Sequence, residues 1–283
     1  MADELTGRIC VVTGASRGIG RATAEGLARL GAKLILVCRR REDGELVSRE
    51  IAAESRIAPD VITADLSSQA SIREAAGYLG GRYPHLHVLI NNAGVIPRER
   101  ELTADGLEMQ FAVNHLAYFL LTSLLLPQLE AGAPARIINV SSGAHTHASI
   151  DFADLQAEQG YQSKEVYSRS KLANILFTYE LSRRLSGTGV TANCLDPGVV
   201  ATGMLADYMD VPRAGAAPAS TFGAKPEEGA GTSIYLASSP DVAAVTGKYF
   251  ERKQPRASSR ASYDEAAARR LWEVSERLTG LSP

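Results

Sequence analysis

The stretch that most narrows the fold is Thr13-Gly14-Ala15-Ser16-Arg17-Gly18-Ile19-Gly20, because it joins two segments of different periodicity. Before it, Arg8 to Thr13 is a short β-branched run that reads as a buried strand. After it, Arg21 to Leu30 carries Ala24, Leu27, Ala28 and Leu30 at helical spacing. A glycine-rich turn between strand and helix lets backbone amides approach a pyrophosphate, and the helix N-terminus adds partial positive charge. The candidate cradle is Gly14, Ser16, Arg17, Gly18, Ile19 and Gly20. An ordinary tight turn beside a closely packed helix would use the same glycines, and the spacing here is Gly-x-x-x-Gly-x-Gly rather than Gly-x-Gly-x-x-Gly.

The alternation continues along the chain. Lys33 to Val37 reads as a second strand, Asp60 to Ala64 as a third leading into Asp65 and Leu66, and Ser68 to Leu79 as a helix. Val88 to Asn91 is a strand running into Asn92, Ala93 and Gly94. Arg136 to Val140 is another, ending in Ser141 and Ser142, and Val190 to Leu195 is closed by Asp196, Pro197 and Gly198. Buried β runs alternating with helices predict an α/β fold, a doubly wound parallel sheet with helices on both faces. The ligand crevice of such a sheet lies at the carboxyl ends of its strands, where Gly14, Arg39, Asp65, Asn91 and Gly94 all fall. No internal repeat or linker interrupts the series, so residues 1–283 are read as a single domain, with 45% hydrophobic residues for its core.

The second strand ends in Cys38, Arg39, Arg40. An acid at that position would hydrogen-bond a free ribose 2′-hydroxyl, whereas an arginine accommodates a 2′-phosphate. Arg17 adds a second cation, so two guanidiniums could grip one phosphate; two solvated arginines is the other reading. The net charge of −2 and pI near 6.2 give no global attraction to nucleic acid or an anionic membrane, so the expected partner is small. Cys10, Cys38 and Cys194 show neither disulfide nor zinc spacing, which fits a reducing cytoplasm. His145 and His147 are expected to be exposed rather than metal ligands, and no metal site is expected. Met1 to Arg8 lacks an apolar signal core, so no transmembrane anchor is expected. Phe111 to Leu129 is broken by Asn114, His115, Thr122 and Pro127 and reads as a core or interface helix, with His115 a hydrogen-bonded core residue.

Glu165 to Leu185 has helical apolar periodicity, and a spacing of four puts Tyr167 and Lys171 on one side, one turn apart. A free tyrosine has a pKa of about 10, so acid/base work near neutrality needs a nearby cation to favour the phenolate. Lys171 is that cation; a packing tyrosine beside a surface lysine is the alternative.

Together, Thr13-Gly14-x-x-x-Gly18-x-Gly20, Asn91-Asn92-Ala93-Gly94, Asn114, Ser142, Tyr167-x-x-x-Lys171 and Pro197-Gly198 resemble the short-chain dehydrogenase/reductase family from Gly7 to about Phe250. The resemblance implies a single-domain Rossmann-type fold in which Tyr167 exchanges a proton and Lys171 lowers its pKa and holds the nicotinamide ribose. Ser142 would orient the carbonyl and Asn114 support a water-linked relay. The glycines would surround the pyrophosphate, Asp65 and Leu66 would meet the adenine, Asn91, Ala93 and Gly94 the adenosine side, and Pro197, Gly198, Val200 and Thr202 the carboxamide side. A narrower likeness, to the retinol-dehydrogenase and protochlorophyllide-reductase-like branch, is carried by Val113-Asn114-His115-Leu116, Asp151-Phe152-x-x-Leu155, Ser170 to Phe177, and Arg270-Leu271-Trp272-Glu273. That branch commonly prefers NADP(H).

The favoured expectation is an NADP(H)-dependent oxidoreductase acting on a hydrophobic alcohol or carbonyl. A nucleotide-sugar epimerase shares Tyr-x-x-x-Lys, but the glycine spacing and the short part after Gly198 count against it. A non-catalytic dinucleotide-binding regulator would lack Ser, Tyr or Lys, and all three are present. Residues 203–225, with Met204, Leu205, Tyr208, Met209, Val211 and Phe222, read as an apolar substrate loop, and 264–279 as a C-terminal helical segment. A homodimer is expected, pairing the apolar helices His115 to Leu129 and Val166 to Leu185.

Overall fold

The structure, a computed structural model, describes residues 4–209 and 223–281. Its strands are β1 (Ile9–Thr13), β2 (Lys33–Cys38), β3 (Asp60–Thr63), β4 (Val88–Asn91), β5 (Ala135–Val140), β6 (Val190–Asp196), β7 (Tyr249–Glu251) and β8 (Gln254–Arg256). They form one sheet ordered β3-β2-β1-β4-β5-β6-β7-β8. All neighbouring pairs are parallel except β7-β8, which is antiparallel. The order changes direction between β1 and β4, and in an open α/β sheet that switch point opens a crevice at the carboxyl ends.

The helices are α1 (Gly18–Arg29), α2 (Arg41–Ser55), α3 (Gln69–Arg82), α4 (Met109–Phe111), α5 (Ala117–Ala131), α6 (Ser163–Arg184), α7 (Gly203–Tyr208), α8 (Pro226–Ser238) and α9 (Glu265–Thr279). Consecutive residues of β1 explain why both faces are covered. Val11 packs with α3 and α5 through Ile72, Leu79 and Leu125. Its neighbours Cys10 and Val12 pack on the opposite side with Leu27 of α1, Val47 of α2 and Leu236 of α8. A strand buried on both faces must be apolar at successive positions, which is the pattern read in the sequence. The doubly wound parallel sheet is therefore the observed fold.

The run Phe111 to Leu129 is not one regular helix. After α4 comes a π-helical turn, Ala112–Leu116, and then α5 with Pro127 inside it. The stretch Met109–Ala131 is long and apolar enough to cross a membrane, but 78% of its 18-residue apolar window is buried inside the protein. It is a core helix. Such π turns recur at functional positions because they rotate a few side chains out of the helical register; this one carries Asn114 and His115.

The apolar faces of α5 and α6 that suggested pairing with a second copy are covered within the chain. Trp272 of α9 lies 4.9 Å from the Phe119 ring and 5.8 Å from the Phe177 ring, centroid to centroid. Ala268 and Leu271 of α9 join Leu172 and Leu176 in one cluster. His115 Nε2 is 2.9 Å from Ser275 Oγ, whose own hydroxyl donates to Leu271, so the ring donates to it. Apolar surface on these two helices thus gives no reason for a homodimer.

Candidate active site

The glycine turn is held shut by its neighbours. Gly14 N–H donates to the Val37 carbonyl at 2.9 Å, tying the turn to the end of β2. Thr13 Oγ1 accepts from the N–H groups of Asn92 and Ala93 at 2.9 and 3.1 Å, and Asn92 Nδ2 donates to the Thr13 carbonyl at 2.9 Å. A Cβ at Gly20 would fall 2.3 Å from the Gly14 carbonyl oxygen, and one at Gly14 would fall 2.9 Å from Ala93 Cα. Only hydrogen fits there, so the turn lies close against the loop after β4. Gly14 and Gly18 also have φ of +67 and +55, left-handed conformations that favour glycine. Thr202 reaches the same place, its Cγ2 3.2 Å from where a Gly18 Cβ would be. Ile19 and Val200 meet beneath it around Gly229.

Arg17 and Arg39 are both exposed at this rim, and neither makes an ion pair among the described residues. Arg40, by contrast, is engaged by Asp43 through two hydrogen bonds of 2.8 and 2.9 Å. Asp65 is exposed with Oδ1 bonded to Ser67, and Leu66 is half-buried against the core. The side chain of Asn91 serves the sheet. It is fully buried and donates to Thr122 Oγ1 and Asn139 Oδ1, both at 2.9 Å, so its amide cross-links the sheet instead of facing the crevice.

Tyr167 and Lys171 lie side by side on α6, the ammonium 5.5 Å from the Tyr167 ring centroid. Lys171 Nζ donates to the Val140 carbonyl at 3.2 Å, which anchors it next to the end of β5 that carries Ser142. Burial drives both groups toward their neutral forms: the Tyr167 phenol is pushed up, opposed by a hydrogen bond with Ser142, and Lys171 is brought from 10.5 down to about 8. Asp196, half-buried at the end of β6, opposes the lysine shift and adds to that of the tyrosine. The net shift of Tyr167 is upward, with desolvation its largest cause, where its lysine neighbour had suggested a depression.

Asn114 is completely buried. Its Oδ1 accepts from Val95 N–H at 2.8 Å, its Nδ2 donates to the Val95 carbonyl and to Ser170 Oγ, each at 3.0 Å, and its carbonyl accepts from Asn174 at 2.8 Å. Gly94 lies where Asn114, Lys171 and Met204 converge, with Asn114 Oδ1 3.3 Å and Lys171 Nζ 3.7 Å from the position of its absent Cβ. Ser142, Tyr167, Lys171, Asn114 and Gly94 therefore share one end of the crevice. The glycine turn, Arg17 and Arg39 lie at the other.

Met204 and Tyr208 of α7 cover the chemical end. The Tyr167 hydroxyl donates to Met204 Sδ at 3.8 Å, and the Tyr208 ring meets Tyr167 edge-on at 5.8 Å. Of the segment read as a substrate loop, residues 203–209 and 223–225 are seen; 210–222, with Val211 and Phe222, lie outside the described residues. Sequence reading gave Asp196 no role beyond ending its strand, although its position matched that of the other rim residues. It also misplaced His145, which is buried and hydrogen-bonded on both ring nitrogens rather than exposed. His147 is exposed. Among the described residues no group of three or more His, Cys, Asp or Glu is arranged to hold a metal.

The chain matches the short chain dehydrogenase family over residues 8–211 and belongs to it. It is accordingly an oxidoreductase of a family that binds nicotinamide dinucleotide. Among its relatives, human retinol dehydrogenase 13 is 44% identical, over 98% of this chain and 86% of the relative. Mouse retinol dehydrogenase 14 is 45% identical, over 97% and 86%. A crystal structure of an uncharacterized protein from Mycobacterium Paratuberculosis superimposes with a TM-score of 0.79 at 34% identity, covering 97% of this chain and 94% of that one. An Escherichia coli CFT073 short chain dehydrogenase complexed with NADPH gives 0.74 at 27% identity, covering 90% and 100%.

Proposed function

We propose that the protein is an NADP(H)-dependent oxidoreductase that interconverts a hydrophobic alcohol and its aldehyde or ketone. The observation that carries this reading is the meeting of Tyr167, Ser142 and Lys171 beside Gly94 at one end of a crevice whose other end holds two exposed arginines, neither ion-paired among the described residues. The residues fit a nicotinamide dinucleotide because the glycine turn leaves backbone where any side chain would project.

In this reading Gly14, Ser16, Gly18, Ile19 and Gly20 hold the pyrophosphate, and Arg17 and Arg39 the 2′-phosphate. Asp65 and Leu66 meet the adenine, Ala93 and Gly94 the adenosine side, Tyr167 and Lys171 the nicotinamide ribose, and Pro197, Gly198, Val200 and Thr202 the carboxamide side. The bound nicotinamide supplies or accepts the hydride. In the reductive direction the substrate oxygen takes the place of Met204 sulfur against the Tyr167 hydroxyl. Tyr167 gives that oxygen its proton, and Ser142 donates a hydrogen bond to it as charge develops. Burial keeps the phenol protonated until then. The Lys171 ammonium offsets the phenolate left behind. A water near the Asn114 carbonyl, which accepts from Asn174, returns the proton through Lys171.

The Met204 and Tyr208 side chains over the reacting groups favour a lipophilic substrate, and the relatives named retinol dehydrogenases support the same class. A panel of carbonyls and alcohols, followed by nicotinamide absorbance with each cofactor, tests this. Higher kcat/KM for bulky lipophilic aldehydes or ketones with NADPH is the expected result. Equal rates on sugars, or with NADH, would overturn it.

A further inference from the structure

His145 sits in the 3-10 turn Gly143–His147 immediately after Ser142 and is 3% exposed. Its Nδ1 is 2.7 Å from the Ser142 carbonyl oxygen and its Nε2 is 3.1 Å from the Ser259 backbone nitrogen. A carbonyl oxygen only accepts and a backbone N–H only donates, so the ring is neutral with its proton on Nδ1. The lowered basicity of the buried ring agrees with this. The ring also packs against Tyr249 of β7 at 5.0 Å between centroids.

Both ends of this bridge lead to the reacting groups. At one end, Ser142 Oγ accepts from the Ala144 N–H at 3.2 Å, so the conformation of the turn fixes the hydroxyl that faces Tyr167. At the other, Ser259 belongs to a segment fastened to α6, the helix of Tyr167. Ser258 Oγ is 2.7 Å from the Tyr179 hydroxyl, Ser262 Oγ donates to the Ser259 carbonyl at 2.7 Å, and Tyr263 stacks on Tyr179 at 5.5 Å. The imidazole thus closes a loop from Ser142, across Ser259 and Tyr179, to the helix of Tyr167. An apolar ring would fill the same volume but would leave the Ser142 carbonyl and the Ser259 N–H without these partners.

We propose that His145 is a positioning residue: it holds the Ser142 hydroxyl in place relative to the Tyr167 hydroxyl by bridging the Ser142 carbonyl to the Ser259 amide. The inference rests on the reading of Ser142 as the group that orients the substrate oxygen. It also gives a catalytic purpose to the C-terminal segment, which lies beyond the residues matched to the family.

The experiment compares the parent with Ser142→Ala, His145→Ala, His145→Gln, His145→Asn and Ser142→Ala/His145→Ala, using a lipophilic aldehyde and NADPH. Gln keeps an acceptor in the Nε2 position for Ser259 and loses the donor to Ser142; Asn keeps that donor. Displacement of a reacting group by about 1 Å costs on the order of 100-fold in rate, so His145→Ala and His145→Gln should lower kcat by about 10- to 100-fold, with Asn closer to the parent. The NADPH dissociation constant should stay within about twofold, because no cofactor contact is removed. Since His145 acts through Ser142, the double variant should be no slower than Ser142→Ala alone. Multiplying losses, as independent damage gives, would overturn the proposal. So would a folded His145→Gln enzyme with parental kcat; this variant keeps the Ser259 anchor and carries the test even where His145→Ala does not fold. Near-normal Ser142→Ala overturns the reading of the site itself, whereas slow Ser142→Ala with normal His145→Gln overturns only the role of His145.

Discussion

Replacing Arg39 by Ala should separate the two nicotinamide cofactors by affinity. The side chain is exposed directly after buried Cys38, and like Arg17 it has no ion-pair partner among the described residues. A well-formed charge-assisted hydrogen bond contributes about 1.5–3 kcal/mol, and solvent exposure puts Arg39 at the low end. About 1.4 kcal/mol is tenfold, so the NADPH dissociation constant should rise about tenfold in Arg39→Ala, and less than a hundredfold in Arg17→Ala/Arg39→Ala because the two share one phosphate. NADH, with no 2′-phosphate, should bind within about twofold of parent in each variant. Fluorescence titration of both cofactors measures this directly. Arg40→Ala is the internal control, since Asp43 already occupies that guanidinium. Added salt should shrink the parental preference, because the screening length falls from about 10 Å at 0.1 M to about 3 Å at 1 M. Equal weakening of both cofactors by Arg39→Ala, or a parent that binds NADH as tightly as NADPH, would refute a role for these arginines at the 2′-phosphate.

Two further predictions concern pH. Lys171 is charged below about 8, so kcat/KM for carbonyl reduction should fall as pH rises through that value, by roughly tenfold per unit on the alkaline limb. Asp196→Asn should move the limb to lower pH, because that carboxylate holds the lysine charge up; a flat profile would contradict both statements. His115, fully buried, is lowered from 6.5 to about 4. Between those values the unfolded chain binds a proton that the folded ring refuses, so this contribution to stability is present above 6.5 and declines as pH falls toward 4. The slope is up to about 1.4 kcal/mol per pH unit. Urea unfolding at a series of pH values should show the decline and a shallower one in His115→Asn; stability unchanged from pH 7 to 5 would refute it.

The sheet was legible because strands β1, β2, β4, β5 and β6 are covered on both faces, which forces runs of consecutive apolar residues between glycine and polar breaks. Tyr167 and Lys171 were legible for an equally local reason, one turn of helix. The β7-β8 hairpin was not. Its strands have three residues each and its turn uses Arg252 and Lys253 at φ of +50 and +65, where a readable hairpin would show Asn-Gly. The π turn at Asn114 left no mark in the apolar pattern. Asn91 read as a rim residue because it ends its strand, but its partners Thr122 and Asn139 come from α5 and β5, which sequence order alone does not bring together. His145 was misplaced for the same reason: its partner at Ser259 stands 114 residues away. The expectation of paired helices overlooked α9, whose Trp272, Leu271 and Ala268 take the surface that was offered to a second copy.

The central claim is that the Tyr167 hydroxyl transfers the proton. Tyr167→Phe keeps the ring against Lys171 and Tyr208 and removes only that hydroxyl. Single-turnover reduction of a lipophilic aldehyde by bound NADPH should slow by about 10²–10⁴-fold, the usual contribution of a positioned acid, while the NADPH dissociation constant rises by no more than about tenfold, the loss of one hydroxyl contact to the ribose. A Tyr167→Phe enzyme that reduces the aldehyde at close to the parental rate would contradict the account.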